Sequence, residues 1–178
     1  MGLIHIASVT ASASSSLAFT SGIDATYNEY QFHFVNIHPA SDKQELLFQV
    51  NAAGESGFNE TITSTFFYAY HNEGDSAAAV VYHAGGDKAQ GTTNQLLILH
   101  IGNDDDQSGS GVLTLYAPSS TTYVKHFVAR TNRYSDNEYT VDENLSGYIN
   151  TTSAIDEIQF VMNSGNIDSG SIHMYGVG

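Results

Sequence analysis

The sequence predicts an all-β protein, a two-sheet antiparallel β-sandwich with a jelly-roll or related Greek-key topology. Three observations favour this fold class. Apolar and polar residues alternate with a period of two in the long segments, which is typical of half-buried antiparallel strands. Turn clusters rich in Gly, Asn, Asp and Ser separate these segments at the spacing expected of sandwiches. No linker, internal repeat or low-complexity tail interrupts the pattern, so we expect a single β-sandwich domain over residues 1–178.

About ten strands are predicted, the first beginning at Leu3 or Ile4 and the last ending at Tyr175 or Val177. Because both termini read as strands, we expect the last one to belong to the core of the fold. In chain order, the residues expected to share one face of a strand are Tyr30, Phe32 and Phe34; Leu46, Phe48 and Val50; Leu113 and Leu115; Tyr123, Lys125, Phe127 and Ala129; Ile155, Ile158 and Phe160; and Ile172 and Met174.

One segment is ambiguous. Residues 76–84, SAAAVVYHA, are short and rich in alanine, as in a helix. Val80, Val81 and Tyr82 suit a strand equally well. The sequence leaves the two alternatives open.

Composition excludes several classes of protein. The 178 residues contain no cysteine, so neither a disulfide scaffold nor thiolate chemistry is available. Five Lys plus Arg stand against nineteen Asp plus Glu, giving a net charge of −14. Such a chain should repel nucleic acid and anionic membrane surfaces. The amino terminus lacks the pattern of a signal peptide, and no apolar run approaches the length of a membrane span.

The stretch GNDDDQSGSG is the strongest candidate for a metal site. Asp104, Asp106 and Ser108 lie at alternate positions and offer the oxygen ligands that calcium prefers. Adjacent side chains of an extended loop point in different directions, however. An acidic hairpin loop without metal is therefore the expected structure.

Eight histidines raise the question of catalysis or metal binding, but none forms an H-x-H or H-E-x-x-H motif. Most lie in strand patterns, where they are expected to be cross-strand polar partners. A cupin-like cluster assembled from neighbouring strands stays open as the alternative. No nucleophile elbow, phosphate loop or dinucleotide motif occurs, so we expect no enzyme activity and no cofactor.

Tyrosine is abundant, with eleven residues, whereas tryptophan is absent. Tyr68, Tyr70, Tyr134 and Tyr139 flank predicted loops and are candidates for stacking against the sugar rings of a glycan. The alternative is that they lie on the sheet surface or in a subunit interface, with their hydroxyl groups in water.

Two motifs carry a resemblance to a known family. An opening F-x-x-G-I-D-x-x-Y-x-x-Y is formed by Phe19, Gly22, Ile23, Asp24, Tyr27 and Tyr30. A closing S-G-N-I-x-x-G-x-I-x-x-Y-G is formed by Ser164, Gly165, Asn166, Ile167, Gly170, Ile172, Tyr175 and Gly176. With these motifs, nearly the whole chain resembles small jelly-roll-like structural proteins of tailed bacteriophages, especially phages of aquatic bacteria.

The resemblance implies a non-enzymatic virion component with no catalytic residues to transfer. We expect it on the exterior of the particle, first as a capsid decoration or cement protein, in contact with other virion proteins. A homo-oligomer is expected, with the trimer as one form. A tail, neck or fibre component and a carbohydrate-binding module that contacts host glycans are the alternatives.

Overall fold

The computed structural model describes residues 2–178, and all regular secondary structure in them is β-strand. The thirteen strands are β1 Leu3–Thr10, β2 Leu17–Phe19, β3 Glu29–Pro39, β4 Gln44–Ala52, β5 Ile62–Asn72, β6 Ala78–Tyr82, β7 Lys88–Gly91, β8 Gln95–Ile101, β9 Gly109–Tyr116, β10 Lys125–Tyr134, β11 Tyr139–Ile149, β12 Ile155–Met162 and β13 Ile167–Val177. Since the described part of the chain has no helix, it has none that is long and apolar enough to span a bilayer.

The strands form two antiparallel sheets. The large sheet has the order β1-β13-β3-β9-β10-β11-β5-β6, with β7 also paired to β5. The small sheet has the order β2-β12-β4-β8. Their inner faces share one apolar core, so the predicted two-sheet sandwich is confirmed.

Eight of these strands form a jelly roll. The pairs β1·β13, β2·β12, β3·β9 and β4·β8 are successive rungs of one long antiparallel ribbon. Consecutive rungs lie alternately in the large and the small sheet, which is how a ribbon rolls into two Greek keys. The terminal strand β13 lies between β1 and β3, as expected of a strand that belongs to the core.

Two insertions enlarge one side of the roll. Strands β5 to β7 are inserted between β4 and β8, and strands β10 and β11 between β9 and β12. Both insertions join the large sheet beyond β9, where the small sheet has no matching strands. The large sheet therefore extends past the edge of the small sheet.

The core confirms the predicted alternation. Phe32 and Phe34 pack against Phe160 of the opposite sheet, with ring centroids 5.9 and 5.2 Å apart. Phe48 meets Phe127 edge-on at 5.3 Å, an arrangement that aromatic pairs prefer. The residues predicted to share strand faces are buried, with one exception. Tyr123, predicted to face inward with Phe127, is 72% exposed because it lies in the loop before β10. Lys125 is also fully buried, and its ammonium donates to the carbonyls of Tyr123 and Thr151.

Two details differ from the sequence prediction. The ambiguous segment is a strand, because Ala78–Tyr82 pairs with β5 over five residues. Thirteen strands are present rather than about ten, since short strands such as β2 and β7 are too brief to display a period.

The two motifs of the resemblance pack against each other. Tyr30 pairs in register with Gly176, and its hydroxyl contacts the backbone and carboxylate of Asp24. The ring of Tyr27 lies directly over Gly176, so that a Cβ there would overlap it. These residues consequently build the junction of β1, β13 and β3.

Candidate functional site

A cleft lies where the large sheet extends past the small one. It is open to solvent, has a volume of about 320 Å³, and is lined by Tyr68, Tyr70, His100, Arg133, Ser135, Asp136, Asn137, Tyr139 and Val141. Strands β5 and β11 supply the aromatic wall, and the hairpin between β10 and β11 supplies the polar rim. The end of β8 closes the opposite side.

Tyr68, Tyr70 and Tyr139 point into the cleft because side chains alternate between the two faces of β5 and β11. Tyr68 and Tyr70 alternate with outward residues of β5, in phase with the buried Phe66. Tyr139 is in phase with Val141, the register partner of Tyr70. Ring centroids are 6.2 Å apart for Tyr68 and Tyr70 and 5.4 Å apart for Tyr70 and Tyr139. The cleft therefore has a continuous aromatic wall with half-buried rings.

A buried ion pair forms the floor beside this wall. Arg133 Nε donates to Glu143 Oε1 at 3.0 Å, and the two side chains are 6% and 1% exposed. Thr131 Oγ1 donates to Glu143 Oε2 at 2.8 Å. The amide of Leu99 also donates to Glu143 Oε1, at 3.0 Å. Arg133 is fixed in place beneath the cleft by these contacts.

The same side chains cover the free edge of β8. Arg133 Nη1 donates to the carbonyl of His100 at 3.0 Å, and Thr131 Oγ1 lies 3.2 Å from the carbonyl oxygen of Leu97. An edge strand normally leaves such backbone groups to water or to another chain. Here they are buried and satisfied by side chains of β10 and β11.

Burial dominates the electrostatics of the floor. Loss of hydration raises the pKa of Glu143 to about 7, although Arg133 and the hydrogen bonds act in the opposite direction. Burial likewise lowers the pKa of His100 at the end of β8. His100 has a positive φ of 36°, an unusual conformation for a residue other than glycine.

Charged and titratable side chains at the rim of the cleft lie close to groups of opposite type. Lys43 Nζ lies 3.3 Å from Asp136 Oδ2, and His100 Nε2 lies 3.5 Å from Glu45 Oε1. Asn137 stands exposed at the tip of the hairpin. Aromatic faces, amide, guanidinium and carboxylate groups thus surround one cavity, which suits a ligand that is both flat and rich in hydroxyl groups.

Three of the four candidate tyrosines, Tyr68, Tyr70 and Tyr139, meet in this cleft. Tyr134 lies on the opposite face of the large sheet, next to Glu73. Its hydrogen bond to the Glu73 carboxylate raises the pKa of Tyr134 to about 12. Tyr134 lies on the opposite face because side chains alternate along β10 and Arg133, the residue before it, faces inward.

The acidic loop lies elsewhere. Asp106 and Ser108 line an open, polar cleft with Asp105 and Asp168, whereas Asp104 does not. The Asp104 amide donates to Gln107 Oε1 at 3.2 Å, which holds the loop in a turn. Within residues 2–178, no group of three or more His, Cys, Asp or Glu side chains is arranged to hold a metal ion.

Three histidines align across neighbouring strands on the outer face of the large sheet. His173 pairs in register with His33, and Ser8 Oγ lies 2.7 Å from both His5 Nε2 and His173 Nδ1. His5 and Ser8 lie on the same strand, whereas the contacts of His173 with Ser8 and with His33 run between neighbouring strands of an open face. Burial and the nearby His173 lower the pKa of His33.

Sequence reasoning missed Arg133 and Glu143. Both were detectable, because Arg133 is in phase with Phe127 and Ala129, and Glu143 is in phase with Leu145. A charged residue at an inward position of an alternating strand indicates a buried polar contact. The alternation pattern could not show that Arg133 and Glu143 would pair with each other.

Comparisons with known proteins identify no family. No protein-family model matches the chain, and no curated protein matches it significantly. One similar solved structure is a crystal structure from Bacteroides ovatus, from structural genomics and described as of unknown function. It is 6% identical, with a TM-score of 0.32, over 56% of this chain and 45% of that one. The matched part is less than half of that protein, and a TM-score this low carries no argument about fold or function.

Proposed function

We propose that this protein is a non-enzymatic component of the exterior of a bacteriophage particle, and that its tyrosine cleft binds a glycan. The observation that carries the binding role is the convergence of Tyr68, Tyr70 and Tyr139 with polar side chains in one cavity. The role in the particle derives from the resemblance of the opening and closing motifs.

The aromatic wall suits a sugar ring. A pyranose presents C–H groups on one face and hydroxyl groups around its edge, so it can lie against tyrosine while hydrogen bonding at its rim. Half-buried Tyr70 and Tyr139 offer such a surface, with Asp136 and Asn137 beside it. The volume of about 320 Å³ falls at the lower end of ligand sites, about 300–1,000 Å³, which suits one or two sugar residues.

The charges favour a neutral saccharide. Arg133 is paired with Glu143, which neutralises it once the pH is above the raised pKa of Glu143, and Lys43 beside the rim is paired with Asp136. This pairing within the protein weakens the attraction of either cation for an acidic sugar. The chain as a whole carries a net charge of −14, which disfavours anionic ligands at long range.

The proposed place in the particle is the capsid exterior, as a decoration or cement protein. The packing of Tyr27 over Gly176 and the contact of Tyr30 with Asp24 are consistent with motifs that maintain a scaffold. A tail, neck or fibre position is the alternative, and glycan binding is compatible with each of these.

A glycan array followed by calorimetry tests the binding role. Wild-type protein should bind neutral saccharides, and Tyr70→Ala should weaken binding at least about tenfold, because it removes the centre of the aromatic wall. Tyr123→Ala is the matched control, since Tyr123 is 72% exposed and lies outside the cleft. Absence of any glycan hit, or equal losses for both variants, would contradict the proposal.

Immunogold labelling of particles of the virus that encodes the chain tests its location. Labels over the whole shell support capsid decoration, and labels at one vertex or along the tail support the alternative. Unlabelled particles combined with absence of the chain from their protein content would reject the virion role.

A further inference from the structure

The free strand edges of the two sheets differ in how they are protected. Strand β1 contains a bulge between His5 and Ala7, strand β2 has three residues, and strand β7 has four and carries Lys88. The edge of β8 is covered by side chains of β10 and β11. Bulges, short length, charges and covering groups are the usual means of preventing pairing between chains.

Strand β6, with five residues, contains neither a bulge nor a charged residue. Ala78–Tyr82 is the outermost strand of the large sheet and contains only alanine, valine and tyrosine. Val80 is 75% exposed and Tyr82 is 59% exposed. The nearest charged residues along the chain are Asp75 and Asp87, and the Tyr82 hydroxyl donates to the Asp87 carboxylate at one end of the strand. Along the rest of the strand, a regular edge of this kind presents unpaired backbone groups to another strand.

We propose that a second copy of the chain adds its own β6 to this edge, antiparallel and centred on Val80. The two large sheets then form one continuous sheet about a two-fold axis. In this register Val80 faces Val80, and Ala78 faces Tyr82 of the second copy, so that a small residue meets a large one. Phe67, which is 43% exposed and pairs with Tyr82 within each chain, extends the apolar contact.

Charge is compatible with a second copy at this edge. Two chains of net charge −14 repel each other, and a contact through β6 adds no close like-charge pair from the strand itself, because residues 76–86 carry no Asp, Glu, Lys or Arg. The sequence of β6 is also compatible with itself, because antiparallel pairing about Val80 opposes no like charges. The proposed pair is a dimer, whereas the homo-oligomer expected from the sequence has the trimer as one possible form.

The pairing would also place the two clefts on the same side of the dimer. What this means for ligand binding rests on the proposed glycan-binding function. Val81 and Ala79 are register partners of Tyr68 and Tyr70 and lie on the cleft face of the sheet. A two-fold axis perpendicular to a sheet keeps equivalent faces on the same side, so both clefts open in one direction. A surface with closely spaced glycans would then be bound by two sites at once, with an avidity above that of either cleft.

Sedimentation equilibrium tests the pairing. Wild-type protein should be dimeric at micromolar concentration, and added salt should tighten the dimer because it screens the repulsion between acidic chains. Val80→Lys should give monomers of unchanged circular dichroism. Val128→Lys, on the same outer face at 47% exposure but away from the edge, should stay dimeric. A wild-type monomer, a trimer, or equal effects of the two substitutions would overturn the inference.

Cross-linking gives a second test, since the chain contains no cysteine. Val80→Cys places two thiols opposite each other at the two-fold axis, and mild oxidation should link the dimer rapidly. Val128→Cys is the control and should link slowly. Equal rates would contradict the geometry. A monomeric protein that still binds glycans would reject the pairing alone, whereas a dimer without glycan binding would reject the proposed function alone.

Discussion

Gly176 is required for close packing against the ring of Tyr27. Gly176 has an ordinary backbone conformation, yet the ring of Tyr27 occupies the space where a Cβ would lie. Its role is close packing rather than turn formation. Ring and glycine belong to the opening and closing motifs, so one contact ties the two ends of the sequence together.

Gly176→Ala should destabilise the fold by about 1–3 kcal/mol, because the added methyl group forces Tyr27 away from β13. Urea denaturation followed by circular dichroism measures the change. Gly2→Ala is the control, since a Cβ at Gly2 would meet no atom within 4 Å. Equal stability of the two variants would show that Tyr27 moves at no cost.

At the level of elements, the edge of β8 explains why the insertions are needed. Residues Leu96 to Leu99 are buried without a strand on their free side. Thr131, Arg133 and Glu143 supply the missing hydrogen bonds. The extension of the large sheet thus both completes the small sheet and creates the overhang in which the cleft lies.

Thr131→Val should destabilise the fold by about 1–3 kcal/mol, because it keeps the shape of the side chain but leaves buried groups of Leu97 and Glu143 without their hydroxyl partner. Thr114→Val on the neighbouring strand β9 is the matched control, since that side chain points to the outer face. Denaturant melts of both variants give the comparison. A loss confined to the control would contradict the role assigned to Thr131.

For the molecule as a whole, folding stability should respond to pH through Glu143. Its pKa is raised to about 7 in the folded state from an ordinary value of 4.5. Between these values the folded state holds a proton that the unfolded state has released. The contribution of this group to stability is therefore fully present below about pH 4.5 and is lost as the pH rises through about 7.

Glu143→Gln removes this titration and keeps the shape of the side chain. We expect the wild type to lose stability relative to Glu143→Gln, by an amount on the order of 3 kcal/mol, as the pH rises from about 5 to about 8. Unfolding free energies measured across this range provide the test. Glu138→Gln, at an exposed position, should track the wild type. A constant difference between the wild type and Glu143→Gln would contradict the prediction.

The sequence by itself determined the fold class, because a period of two survives wherever one face of a strand is buried. It also determined the inward faces of β3, β4, β12 and β13. Short strands such as β2 carry no period, and SAAAVVYHA satisfies helix and strand equally until β5 is available for pairing.

Only the tertiary structure decided the candidate site. Tyr68 and Tyr139 are far apart in sequence and meet because β5 and β11 are neighbours in the large sheet. Tyr134 lies close to Tyr139 in sequence but falls on the opposite face. Strand order and phase across a sheet are set by contacts between distant segments, and a local pattern does not contain them.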